Sequence, residues 1–256
     1  MSVVNIAAYK FASVPEPQSW LQPLKERCQQ LELKGTIIVA PEGINLFLAG
    51  TRQTITAFLE FLQKDPLFGG RFEELDIKES FSEKQPFRKM VVRLAREIIT
   101  MRQPMTPCPS QGRAPFVSAK KLKEWLDKGQ DDEGREIVLL DTRNAFEVDL
   151  GTFEKAQSLE ISMFSEFPDA LKKLNEQRQL ADKTVVTFCT GGIRCEKAAL
   201  YMGGLGMQKV YQLDGGILRY LEETAGEHWQ GECFVFDERY AVDAALQATT
   251  KIRPKS

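Results

Sequence analysis

No stretch of this sequence approaches the ~20 consecutive apolar residues that a membrane-spanning helix needs. The N-terminus, MSVVNIAAYKFASVPEP, is apolar for only a few residues and lacks both a basic leader and a long apolar segment, so no signal peptide is expected. Neither sign of charge dominates. The formal net charge of −2 argues against a generally basic nucleic-acid binder, while leaving room for a local basic face. Cysteine is scarce, scattered and odd in number. The five thiols, Cys28, Cys108, Cys189, Cys195 and Cys233, suit a reducing compartment better than a disulfide framework. Internal repeats and low-complexity tracts are also missing. These absences lead us to expect a cytoplasmic protein with no membrane attachment, no stable protein partner and at least one functional thiol.

What is present is enough chain for more than one domain: 256 residues with ordinary apolar content, so each half can bury a core. The clearest break is QPMTPCPSQGR, residues 103–113, with three prolines, a glycine and no periodic apolar pattern. It divides a first domain (1–102) from a second (114–225), with a tail (226–256) expected to pack on the core through Trp229, Phe234 and Phe236.

Before the break the pattern is strand (3–11), helix (17–33), two short strands joined by PEGI (35–40 and 45–49), helix (51–63), then extended segments at 76–79 and 88–99. Thr51 is placed to cap the second helix. This order is the split β-α-β arrangement of ferredoxin-like α+β domains. After the break, Ser118 opens a helix that Gly129 closes, and apolar strands at 137–140, 184–188 and 210–213 alternate with helices at 167–179 and 196–202. That alternation predicts an α/β domain with a central parallel sheet covered on both faces. Functional residues gather at the carboxyl ends of such strands, which is where Asp141 and Cys189 fall.

The strand TVVTF delivers Cys189 into the loop Thr190-Gly191-Gly192-Ile193-Arg194, with Cys195 next and a helix to follow. Successive backbone N–H groups at the two glycines can form an anion nest, and the helix N-terminus adds partial positive charge. Arg194, expected in a surface-facing loop, adds a full charge. Such surroundings favour thiolate or persulfide anion. A buried core cysteine is the plain alternative, and the complete strand, glycine pair, arginine and helix argue against it. Cysteine phosphatases need Cys-x5-Arg to wrap a phosphate, whereas Cys189 and Arg194 stand at Cys-x4-Arg, a smaller cradle better sized for sulfur. No metal site is expected, because only Cys233 and the lone His228 could join Cys189 and Cys195.

CTGGIR resembles the six-residue loop of rhodanese domains, LLDTRNAFEVDLGTF their Asp-x-Arg…Glu…Gly segment, and YQLDGGILRY their closing Gly-Gly-Ile segment. One departure is Phe153, where many rhodaneses carry a histidine after the glycine. Taken with PEGIN, KQPFRKMVVRLAREIIT and HWQGECFVFDERYAVD, nearly the whole chain resembles the rhodanese-related tRNA uridine(34) hydroxylases, whose first domain is acylphosphatase-like. The resemblance implies a bacterial oxidoreductase that forms 5-hydroxyuridine at the wobble position of tRNA, with molecular oxygen as co-substrate and Cys189 as the active-site residue. No haem, flavin or non-haem iron motif is evident. Some relatives extend past the FVFD segment with further cysteines. This sequence ends at Ser256 without them, so the role of that extension is expected to be absent.

The remaining candidates carry two readings each. Cys195 either resolves an oxidised Cys189 or simply packs in the first helical turn. Asp141 and Arg143 form a brace for the thiol loop, and Glu147 reads as a surface helix residue. Glu42 and Asn45 of PEGIN either shape a hairpin turn with Gly43 or lie near substrate. Lys89 and Arg93 share the face of a strand opposite Met90, Val92 and Leu94, as a solvated face or as a track for tRNA phosphates. Beside the hydroxylase reading stand a sulfurtransferase carrying a Cys189 persulfide and a thiol-bearing binding or redox-relay module.

Overall fold

A computed structural model describes residues 2–103 and 109–249. The chain forms two compact units, one running to Ile98 and taking in Phe236–Tyr240, the other comprising Ile99–Val235 and Ala241–Thr249. Cys108 and much of the proline-rich break lie outside the described residues.

The first unit holds β1 (Val3–Phe11), α1 (Leu21–Gln30), β2 (Lys34–Ala40), β3 (Gly43–Gly50), α2 (Arg52–Lys64), β4 (Asp76–Ser82) and β5 (Met90–Leu94). The sheet order is β4-β1-β3-β2-β5, antiparallel except where β5 runs parallel to β2. Period-two alternation puts Ile44, Leu46 and Leu48 of β3 into a core shared with Leu24 and Cys28 of α1 and Ile55, Phe58 and Leu62 of α2. Thr51 caps α2 through its side chain, which accepts from the backbone of Thr54.

Two expectations change here. The hairpin turn is Pro41-Glu42, since Ala40 pairs with Gly43, so Asn45 belongs to the strand and not to the turn. Leu94, expected in the core, is exposed at the end of the strand, whereas Met90 and Val92 pack against the core.

The second unit holds β6 (Phe116–Val117), α3 (Ala119–Lys128), β7 (Ile137–Asp141), α4 (Ala145–Val148), β8 (Gly151–Phe153), β9 (Gln157–Ser158), α5 (Phe167–Arg178), β10 (Thr184–Phe188), α6 (Ile193–Gly204), β11 (Val210–Leu213), α7 (Gly216–Thr224), β12 (Trp229–Gly231), β13 (Cys233–Phe234) and β14 (Ala241–Val242). Its main sheet is wholly parallel, in the order β6-β11-β10-β7-β9. Leu139, Val186 and Phe188 face a core with α3 and α7. Val138, Leu140 and Val185 face the opposite core, with α5 and α6. Burial on both faces explains why β10 reads as a continuous run rather than an alternation. Met101 packs into this second unit.

The tail is divided. Trp229 and Phe234 are buried in the second unit, where β12 pairs with β8 and β13 with β14. Phe236 was expected to pack with them. It is instead 45% exposed and stacks on Phe47 in the first unit.

Candidate active site

Strand register sets Phe188 of β10 beside Asp141 of β7, so Cys189 and Asp141 leave neighbouring strands at the same carboxyl edge. The loop after Cys189 is held from behind by α7. The N–H of Ile217 donates to the Cys189 carbonyl at 2.9 Å and that of Leu218 to the Thr190 carbonyl at 3.1 Å. Only glycine permits this approach at position 216, where φ is +67° and a Cβ would stand 2.5 Å from the Cys189 carbonyl oxygen. The Thr190 hydroxyl donates to the Phe234 carbonyl at 3.4 Å.

The sulfur of Cys189 accepts the Gly192 N–H at 3.2 Å. Gly192 has φ +97° and precedes the first residue of α6, so the nest and the helix N-terminus coincide. Gly191 plays a different part from the one expected. It does not adopt positive φ, and a Cβ there would meet nothing within 4 Å, so the loop faces open space at that point. Cys189 itself is fully buried.

Helix α6 starts at Ile193, three residues earlier than the pattern predicted. Arg194 therefore lies in the first helical turn and is buried, not surface-facing. Its terminal nitrogens donate to the two Glu147 carboxylate oxygens at 2.6 and 2.8 Å. Glu147, expected on the surface, is fully buried. Burial alone would raise the Glu147 pKa, but the Arg194 charge and hydrogen bonds hold it below the usual carboxylate value.

Burial also pushes the Cys189 thiol upward, and here it is outweighed. The neighbouring Cys195 thiol, the Arg194 charge and the backbone N–H groups of Arg194 and Gly192 all favour the charged sulfur. The net direction is downward, toward thiolate. Cys195 goes the other way: burial and the neighbouring Cys189 charge keep it protonated, with the Thr142 hydroxyl 3.8 Å from its sulfur. Cys233 is buried as well, and burial pushes it up to about 12.

Asp141 and Arg143 do form a buried pair, yet they brace the Glu147 segment rather than the thiol loop. Arg143 donates to Asp141 at 2.6 and 2.9 Å, to the Gly151 carbonyl at 2.6 Å and to the Glu147 carbonyl at 3.3 Å. Thr152, directly after Gly151, donates its hydroxyl to Asp141 at 2.8 Å. The position following that glycine is thus Thr152, a polar brace. Phe153 is a core residue, edge-on to Phe188, Tyr220 and Trp229.

The other candidates lie in the first unit. Glu42 accepts the Ile98 N–H at 2.7 Å, and the Asn45 amide donates to the Ile98 carbonyl at 3.2 Å. Both side chains clamp the Ile98 backbone. Asn45 is buried. Lys89 and Arg93 are exposed, and no side-chain partner is found for either among the described residues. Sequence reasoning missed Thr142 and undervalued Glu147. The only signal for Glu147 was its place in the Asp-x-Arg…Glu…Gly segment.

Residues 3–98 match the family described as UPF0176 acylphosphatase like domain, and residues 118–223 match the Rhodanese-like domain. Over 252 residues, 98% of this chain and 88% of the relative, the sequence is 55% identical to the tRNA uridine(34) hydroxylase of Burkholderia lata. The chain belongs to the tRNA uridine(34) hydroxylase family. A second member, from Paraburkholderia xenovorans, is 54% identical over 247 residues, 96% of this chain and 85% of that protein. Among solved structures, the rhodanese-related protein from Thermoplasma volcanium is 24% identical, with a TM-score of 0.34, covering 43% of this chain and 93% of that one.

Proposed function

We propose that this chain hydroxylates C5 of uridine 34 in tRNA, in the bacterial cytoplasm, with dioxygen as co-substrate and Cys189 as the working thiol. The observation that carries the reading is family membership along almost the entire chain, with the thiol loop within the matched region. The geometry is consistent with it. Cys189 combines a donor-rich loop, a buried cation and a protonated neighbouring thiol, the requirements of a nucleophilic sulfur. Lys89 and Arg93 are available for phosphate contacts that position tRNA without reading its sequence. No helix among the described residues is long and apolar enough to cross a membrane.

The test is nucleoside mass spectrometry of tRNA from cells with and without the gene. Loss of 5-hydroxyuridine on deletion is the expected result. Unchanged 5-hydroxyuridine with loss of a thiolated nucleoside would replace this reading with sulfur transfer through a Cys189 persulfide.

A further inference from the structure

Hydroxylating a C–H bond with dioxygen takes four electrons to reduce the oxygen, and the C–H bond supplies two. The other pair must come from a reductant. Two neighbouring thiols hold such a pair. Cys189 and Cys195 are both fully buried, one at the end of β10 and the other in the first turn of α6. The Cys195 sulfur lies 3.8 Å from the Thr142 hydroxyl, which donates to the carbonyl of Phe188, the residue before Cys189, and the Cys195 thiol is among the groups that act on the Cys189 sulfur. They differ in surroundings: Cys189 receives the Gly192 N–H, while the Cys195 sulfur sits against the Thr142 hydroxyl.

We propose that Cys195 is a second catalytic residue, and that the Cys189–Cys195 pair supplies the two electrons of each hydroxylation by closing to a disulfide. This inference rests on the hydroxylase reading. In sequence, the Cys189 thiolate adds to C6 of the uracil ring, forming the S–C6 bond and moving the C5–C6 π pair onto the C4 carbonyl. The resulting enolate joins dioxygen at C5 and takes up one proton, giving a C5 hydroperoxide. The Cys195 thiol accepts the distal oxygen, leaving a C5 hydroxyl and a Cys195 sulfenic acid. Loss of the C5 proton and departure of the Cys189 thiolate restore the double bond. Cys189 then attacks the Cys195 sulfur, the S–S bond forms, and the hydroxyl leaves with that proton as water. The sum is uridine, dioxygen and two thiols giving 5-hydroxyuridine, water and one disulfide. A small thiol reductant returns the pair for the next turnover.

The closeness of the two thiols serves both ends of this sequence. Once uracil is attached to Cys189, the C5 atom that carries the hydroperoxide is two bonds from that sulfur and close to the Cys195 thiol. Once product leaves, the two thiols are already neighbours.

The experiment uses the full reduced chain, freed of external reductant, in air with tRNA from cells lacking the gene. The expected result is a burst of at most one 5-hydroxyuridine per chain. Two thiols should be lost per product formed, with a Cys189–Cys195 cross-linked peptide in the mass spectrum. Adding a small thiol should restore repeated turnover. Cys195→Ser and Cys195→Ala should lose the burst while keeping the wild-type melting profile. Two variants are used so that a packing defect in one does not decide the matter. A burst without thiol loss, or a full burst in a folded Cys195 variant, overturns the proposal. So does product that forms only when external reductant is supplied, a result that leaves the hydroxylase reading standing. Absence of 5-hydroxyuridine under every condition defeats that reading and this one together.

Discussion

Glu147 holds Arg194 through two parallel hydrogen bonds, 2.6 and 2.8 Å long, although 47 residues separate them and both are buried. The pair fixes a full positive charge that acts on the Cys189 sulfur. Arg194→Ala should therefore do more than weaken activity. It leaves the Glu147 carboxylate buried and unpaired, a situation that costs roughly 3–5 kcal/mol. Glu147→Ala should cost a similar amount, and the double variant much less than the sum. Denaturant titration of the three variants checks this. Additive losses would mean the two residues act independently.

Cys189 should titrate below an ordinary thiol. Burial opposes ionisation, but the Cys195 thiol, the Arg194 charge and the Gly192 N–H outweigh it. Below the midpoint the sulfur is protonated and slow to alkylate; above it the thiolate reacts. Alkylation by a small reagent, followed at the Cys189 peptide, should show a midpoint below the free-thiol value of ~8.5. A midpoint at or above that value would contradict the arrangement described. Cys233, pushed up to about 12 by burial, should stay inert over the same range.

Gly216→Ala should disturb the thiol loop from behind. Its Cβ would stand 2.5 Å from the Cys189 carbonyl oxygen, with φ at +67°. Alanine at positive φ with backbone contact is expected to cost more than ~1 kcal/mol. Melting temperature should fall, and the Cys189 alkylation profile should move toward that of a free thiol. An unchanged profile would show that the contact does not hold the loop.

Charge reversal at Lys89 and Arg93 together should weaken tRNA binding across tRNA species and flatten its dependence on salt. Binding measured at several salt concentrations decides between a phosphate track and a solvated face. An identical salt slope would assign both residues to the latter.

Local features were legible in the sequence. Thr51 as a cap, Ser118 as the start of a helix, Gly129 as its stop and TVVTF as a buried strand each depend on neighbours in the chain, and the structure shows all four. The start of α6 was not legible, because two glycines argue against helix while the partner that draws Arg194 inward lies far away in sequence. Glu147 was misplaced for the same reason: nothing local marks a carboxylate for burial when its counter-charge comes from another element. Asn45 looked like a turn residue by composition, yet register pairs it with Ile38 inside the hairpin and turns its amide to Ile98. The Thr142–Cys195 contact again joins residues far apart in the chain, so no motif records it.

The segment Phe236–Tyr240 bears on how the chain is made. Arg239 donates to the Ser80 hydroxyl at 2.8 Å, the Glu238 N–H donates to the Pro86 carbonyl at 3.0 Å, and Phe236 stacks on Phe47. All of these partners are synthesised more than a hundred residues earlier. The first unit emerges from the ribosome without its last piece and carries an open seat until residue 240 follows. A fragment ending at Ile98 would keep that seat empty, with the Phe47 ring uncovered. Vectorial synthesis therefore makes the N-terminal unit first to begin folding, but not first to finish.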